Sequence, residues 1–253
     1  MSQDKILSVI QKADSFFYTE HAKNELSLNV RDIHRLDLTK DKSKDRFGSQ
    51  RYSRINLGVS TEQFTLLPSG MDFSTLSGDA LAPLIQLNDT TSIRTDNVYS
   101  YGLRIVYAFP RQSYGFSWLD ELADRTDDLR VSHYFSPILL NLSYRIKQDG
   151  VFVFIEKHEI GVVVIMDQQP ILVNTYKINE VEEYLYFILL AFDQTGMSIK
   201  DETLFLSGQI NKDTKLFEYL FKYVRNISFM DHKMDATKGG YRYFDLHSLM
   251  LYG

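Results

Sequence analysis

Between Val151 and Met230 the chain is punctuated so regularly that few folds accommodate it. Three apolar runs, Val151–Ile155, Gly161–Met166 and Ile171–Tyr176, are separated by His158-Glu159 and by Asp167-Gln168-Gln169-Pro170. Each run is short and rich in β-branched and aromatic side chains, which predicts a three-stranded meander buried on both faces. A helix follows. Asn179 reads as its N-cap with Glu182 three residues on, Val181, Tyr184, Leu185, Ile188, Leu189 and Phe192 recur at helical spacing, and Gly196 supplies the stop. Next come a strand at Thr203–Leu206, a Ser207-Gly208 turn, a helix from about Asp213 and a strand at Ile227–Met230. The predicted order is βββαβαβ.

The first half is less regular. Ile6, Leu7, Val9 and Ile10 suggest a short docking helix before the Phe16-Phe17-Tyr18 cluster. Glu25–Val30 alternates polar and apolar residues and reads as a strand paired with Ile33–Leu38, and a charged loop spans Lys40–Gln50. Arg54–Gly58 and Gln63–Leu67 suggest a second pair. Residues 69–97 read as irregular, Leu103–Tyr107 as a strand ended by Pro110, Ser117–Leu129 as an acidic helix and Val131–Phe135 as a strand. Ser136-Pro137 opens a helix running to about Lys147.

Composition narrows the function classes. With no cysteine, disulfides, thiolate metal sites and a cysteine nucleophile are excluded. The net charge of −5 argues against a nucleic-acid surface, which needs a clustered basic excess. No apolar run reaches the ~18 residues that span a bilayer, and the first residues lack a signal-peptide pattern, so a cytoplasmic protein is expected.

Taken together, the meander, helix, Ser-Gly strand end and second helix resemble the second half of the actin-like ATPase fold, a ribonuclease-H-like α/β unit carried twice. Gln63–Met71, Val106–Pro110 and Tyr243–Leu249 are similar to segments of a family of uncharacterised bacterial proteins with that fold, distantly similar to actin-like pilus-assembly proteins. The resemblance implies an α/β, two-lobed protein with mixed sheets, a divergent first lobe over residues 14–135 and a second over residues 136–253. It also implies where a nucleotide would sit: phosphates between two glycine-bearing hairpins with an aspartate for magnesium, and the base against a later glycine turn.

In the second half the equivalent hairpin is Val153–Ile160, where Phe154 stands in place of the aspartate and Glu156 in place of the glycine. A bulky acidic turn repels phosphate. In the first half Leu28–Ile33 offers Asp32 without glycine, and only the base-side turn, Ser207-Gly208, is kept. The expectation is therefore a non-catalytic binding or scaffold protein, a pseudo-ATPase with no cofactor. The alternative is a divergent ATPase that uses Asp32 or Glu156, with ATP and magnesium held near Ser207 and Gly208.

Other constellations read as ordinary structure. No nucleophile elbow, zincin or P-loop motif is present. Asp120, Glu121, Asp124, Asp127 and Asp128 read as a solvated face rather than a metal site, and Asp231, His232 and Asp235 as a polar loop near Lys238-Gly239-Gly240. His158 and Glu159 belong to a hairpin turn. Sixteen tyrosines and 17 phenylalanines exceed what a modest core demands. Tyr99, Tyr101, Tyr107, Tyr114, Phe116 and Trp118 crowd one tract that offers a surface for an unknown protein partner or a homodimer, with core packing as the competing reading.

Overall fold

A computed structural model of the chain describes residues 5–12, 15–37, 50–71, 85, 91–110, 117–230 and 240–252. It forms two compact units, one of Met1–Asn141 with Asp245–Gly253 and one of Leu142–Phe244. In unit 1, β1 (Lys5–Lys12), β2 (Ser15–Ala22), β3 (His34–Asp37), β4 (Arg54–Val59) and β8 (Leu129–His133) make a sheet ordered β3-β2-β1-β4-β8. The first three are antiparallel, and β1, β4 and β8 run parallel. Between β4 and β8 the chain builds a second, antiparallel sheet from β5 (Phe64–Pro68), β6 (Thr91–Val98) and β7 (Leu103–Pro110), ordered β5-β7-β6, and then α1 (Ser117–Ala123). Helix α2 (Phe135–Asn141) follows β8.

Several expectations for this half are corrected. Ile6–Ile10 is not a docking helix but the middle of β1, the central strand. Burial of both faces erases the alternation that marks a strand, leaving a run that reads equally well as helix. Glu25–Val30 is not a strand, because the Asn29 side chain accepts the Arg31 N–H at 3.1 Å and folds Val30–Asp32 into a 3-10 turn. β3 pairs with β2 instead. β4 does not pair with β5. It lies between β1 and β8, where a Cβ on Gly58 would meet Ile10 Cγ1 at 2.8 Å and Leu249 Cδ2 at 3.5 Å. Within the stretch read as irregular, Thr91–Val98 is a strand, while residues 72–84 and 86–90 lie outside the described residues, as do Leu38, Thr39 and residues 40–49 of the charged loop.

Unit 2 follows the expected order. β9 (Gly150–Ile155), β10 (Glu159–Met166), β11 (Gln169–Lys177), α3 (Val181–Thr195), β12 (Thr203–Gly208), α4 (Lys215–Tyr223) and β13 (Asn226–Phe229) give a sheet ordered β11-β10-β9-β12-β13, the same pattern as in unit 1. One face packs Val153, Val162 and Leu206 against Ile188 and Phe192 of α3 and Leu220 of α4. β9 and β10 are buried on both faces as expected, but β11 is an edge strand and alternates. The α3 cap lies one residue later than read: Glu183 accepts the N–H groups of Asn179 and Glu180, completing a capping box with Glu180. Gly196 ends α3 with φ +71° as expected. α4 starts at Lys215, capped by Thr214, rather than at Asp213.

The units divide at Asn141, later than the 135/136 boundary expected from sequence, because α2 is tied into unit 1. Ser136 bonds to Asp96, and Asn141 Nδ2 donates to Ser248 Oγ at 2.8 Å. Ser248 lies on α5 (Phe244–Tyr252), which rejoins unit 1 at Asp245.

Candidate functional site

In unit 2 the register of β9 against β12 places Gly208 beside Ile155, so the β9–β10 turn and the end of β12 meet. The turn is closed by the Glu156 N–H donating to Glu159 O at 2.9 Å. Gln209 N–H donates to Ile155 O at 2.6 Å, and its side-chain amide donates to Glu156 Oε2 at 2.8 Å. Glu156 is buried. The Tyr184 hydroxyl donates to the Glu156 carbonyl, and burial, with the Glu156 charge adding, pushes its phenol up to about 12. Ser207 Oγ donates to Tyr241 O at 2.6 Å. Ser207 and Gly208 end β12 as strand rather than forming a separate turn. Gly208 has φ +92°, and a Cβ there would stand 2.9 Å from both Ile155 C and Ile155 N. Close backbone approach therefore explains this glycine.

Asp32 is elsewhere. It is exposed in the 3-10 turn of the β2–β3 connection in unit 1, not in the β1–β2 hairpin, and among the described residues no strand pairing links it to Glu156, Ser207 or Gly208. The hairpin of unit 1 that matches β9–β10 is β1–β2, which pairs Lys12 with Ser15. The sequence hides this hairpin because Ile6–Ile10, buried on both faces, reads as helix. There the buried Lys12 Nζ lies 2.5 Å from Asp245 Oδ2, which also accepts the Tyr134 hydroxyl at 3.0 Å. The signal available was Ala13-Asp14, a short polar break between two β-forming runs.

A polyphosphate needs unspent N–H groups and positive charge. The β9–β10 turn presents a buried carboxylate bonded to an amide, and Lys12 at the end of β1 is paired with a carboxylate. Among the described residues no group of three or more histidines and carboxylates is placed to hold a metal. Asp231, His232 and Asp235 lie outside the described residues. The acidic run carries ion pairs: Glu121 with Arg125, Asp127 with Arg51, and Asp128 with Arg54 and Arg130, the last two arginines holding the Asp128 carboxyl below its usual range.

A second polar cluster in unit 1 joins the inserted sheet to the main one. Asp96 of β6 accepts the His133 N–H and the Ser136 hydroxyl, each at 2.6 Å, and the Tyr107 hydroxyl at 3.3 Å. Burial raises the Asp96 carboxyl above its usual range. His133 accepts the Phe135 N–H at Nδ1, so its proton sits on Nε2 and donates to Thr61 O at 3.2 Å. Full burial pushes His133 down to about 4. Serine, histidine and aspartate are thus adjacent, but the serine bonds to the aspartate and not to the imidazole, which leaves no activated nucleophile. The aromatic tract is divided: Tyr107 is in the core, Tyr99 is exposed, and Tyr114, Phe116 and the Trp118 side chain lie outside the described residues.

A family model described as "Protein of unknown function (DUF3822)" matches residues 7–227. Comparison with curated protein sequences finds no match. Among solved structures, a protein of Bacteroides thetaiotaomicron VPI-5482 with an actin-like ATPase fold and unknown function superposes with a TM-score of 0.77 at 16% identity, covering 99% of this chain and 96% of that one. The PilM-PilN type IV pilus biogenesis complex gives 0.59 at 12% identity, with 98% of each chain covered. At these identities the likeness establishes the fold, which is that of the actin-like ATPases.

Proposed function

The chain belongs to the DUF3822 family, proteins of unknown function, and within the actin-like fold we propose that it is a non-catalytic binding or scaffold protein whose hairpins no longer handle phosphate. The observation that carries this reading is Glu156: a buried carboxylate, bonded to Gln209, stands at the turn where a triphosphate would need glycine backbone. The buried pairing of Lys12 with Asp245 supports the same reading in unit 1. A chain of this fold without phosphate chemistry keeps one general use, holding another protein. The PilM-PilN assembly, a complex of two proteins, supports that reading. No described helix is long and apolar enough to cross a membrane. The absence of cysteine fits action in the cytoplasm.

Titration calorimetry and thermal unfolding with Mg-ATP test the proposal. A ligand present at about 1,000 times its Kd stabilises the fold by about 4 kcal/mol, a shift readily seen. The expected result is no heat of binding and no shift at millimolar Mg-ATP. Micromolar binding, or phosphate release that depends on the protein, would establish the divergent ATPase instead.

A further inference from the structure

One face of the unit 1 sheet carries a file of polar side chains that crosses three strands. Strand pairing sets Asn56 of β4 beside Ser8 of β1, and His21 of β2, opposite Ile6, lies diagonal to Ser8. All three residues are buried. Leu249 of α5 meets the same face at Gly58 and Ile10. Polar groups enclosed in this way cost stability unless they are hydrogen-bonded, so the pattern of their bonds is informative.

The bonds of the file run in one direction. His21 Nδ1 lies 3.1 Å from Ala22 O, and a carbonyl only accepts, so Nδ1 carries the proton. Nε2 is therefore the acceptor, and it takes the Ser8 hydroxyl at 2.9 Å. Ser8 Oγ, its own proton given to His21, accepts from Asn56 Nδ2 at 3.5 Å, the loosest link of the file. Asn56 Oδ1 is left buried without a partner among the described residues. An imidazolium inverts this arrangement, because both of its nitrogens donate. Nε2–H then points at Ser8 Oγ, the Ser8 hydroxyl must turn towards Asn56, and the acceptor it needs there is Oδ1.

Charged and titratable groups face His21 from each neighbouring element. Lys5 of β1, Glu20 of β2, and Lys23 and Glu25 just beyond β2 line a pocket of about 490 Å³ together with His21. Lys5 is paired with Glu20, and the Glu25 carboxylate accepts the Ala22 N–H. Arg54 of β4, also opposite Ile6, is held by Asp128, and His247 of α5 donates to Leu26 O. Burial lowers the His21 pKa from 6.5, outweighing the Ala22 carbonyl and the Glu25 charge, which raise it. The ring is thus neutral at neutral pH and takes up its second proton below 6.5.

We propose that His21 is a proton switch for this face of unit 1. In the neutral state it is held as the Nδ1–H tautomer and receives the file; its protonation reverses the file, turning the Ser8 hydroxyl and the Asn56 amide so that Oδ1 becomes the acceptor. The change is carried from β2 through β1 to β4, on the face that α5 meets.

Nitrogen NMR of the isotope-labelled full chain, from about pH 8 down to the pH at which it unfolds, tests this, with ring and side-chain amide signals assigned through the backbone. At the alkaline end His21 is expected to be protonated at Nδ1 and unprotonated at Nε2. As the pH falls, Nε2 is expected to gain its proton at a midpoint below 6.5, and the Asn56 side-chain amide to shift with the same midpoint. Ser8→Ala removes the link and little volume, so His21 should still titrate while the Asn56 shift is lost. The Nε2–H tautomer at the alkaline end, no protonation of His21 in the folded chain, or an Asn56 amide that does not follow His21 would each overturn the proposal, and all three are read on the unaltered chain. An Asn56 shift that survives Ser8→Ala would overturn it as well, by showing that the charge acts through space and not through the file.

Discussion

Alanine at Gly208 and at Gly196 separates two reasons for which a chain keeps glycine. Both residues have positive φ, +92° and +71°, but an ideal Cβ on Gly196 has nothing within 4 Å, whereas one on Gly208 runs into the Ile155 carbonyl. Gly196→Ala therefore bears only the left-handed conformation, about 1–2 kcal/mol, offset by about 0.4–1 kcal/mol from the stiffer unfolded chain. Gly208→Ala bears the same strain and must also move the end of β12 away from β9. That movement breaks the Gln209 N–H bond to Ile155 O, about 1 kcal/mol, and draws the Gln209 amide from the buried Glu156 carboxylate, a charged bond of about 1.5–3 kcal/mol. The expected loss is about 3–5 kcal/mol for Gly208→Ala against about 1 kcal/mol or less for Gly196→Ala. Urea unfolding of the two variants, read from midpoint and slope, measures both. If the variants agree within about 0.5 kcal/mol at equal slope, the close approach is not what holds Gly208, and a ligand-binding role for that glycine would have to be considered again.

Asp245→Ala takes the carboxylate from buried Lys12 and is expected to destabilise by about 3–5 kcal/mol, while Lys12→Met combined with Asp245→Leu recovers most of that loss. Simple additivity of the single costs in urea would contradict the pairing. His133, at about 4 in the folded chain against 6.5 when free, binds fewer protons folded than unfolded across that window. Its contribution is therefore whole above pH 6.5 and is lost as the pH falls towards 4, on the order of 3 kcal/mol. Asp96, raised by burial, acts in the opposite sense at the acid end, because the folded chain keeps its proton more readily. His133→Gln, which retains a donor for Thr61 O, should flatten the pH dependence of unfolding between those values, and an unchanged slope would count against the assignment.

What could be read from the residues follows from where the pairing lies. Unit 2 is legible because β9, β10 and β11 pair with their neighbours in sequence, and because Gly196 and the residues around Glu180 mark both ends of α3. Unit 1 hides the same sheet. β4 takes its partners from β1 and β8, distant in sequence and parallel, whereas turn signals report only adjacent, antiparallel pairs. β1, covered on both faces, gives up the alternation that would have named it a strand. At the candidate site, Glu156 and the Ser207-Gly208 strand end are visible as a hairpin turn and a glycine. Lys12, Asp245 and Gln209 are not, since a lysine or glutamine becomes notable only once its distant partner is known. Asp32 lies in the β2–β3 connection rather than in the β1–β2 hairpin, and a polar turn between two β-forming runs reads the same in either place.

The return of α5 to unit 1 sets an order of assembly during synthesis. Leu249 closes over Gly58, and Asp245 reaches Lys12, only after the whole of unit 2 has been made. At about 5–20 residues per second, making unit 2 takes on the order of five to twenty seconds. Unit 2 is contiguous and can fold as soon as it is made, whereas the sheet of unit 1 waits throughout for α5. The half of the protein translated first is thus the half finished last, and a ribosome that stops short of Asp245 releases a sound unit 2 attached to an open sheet, a form that proteases can single out.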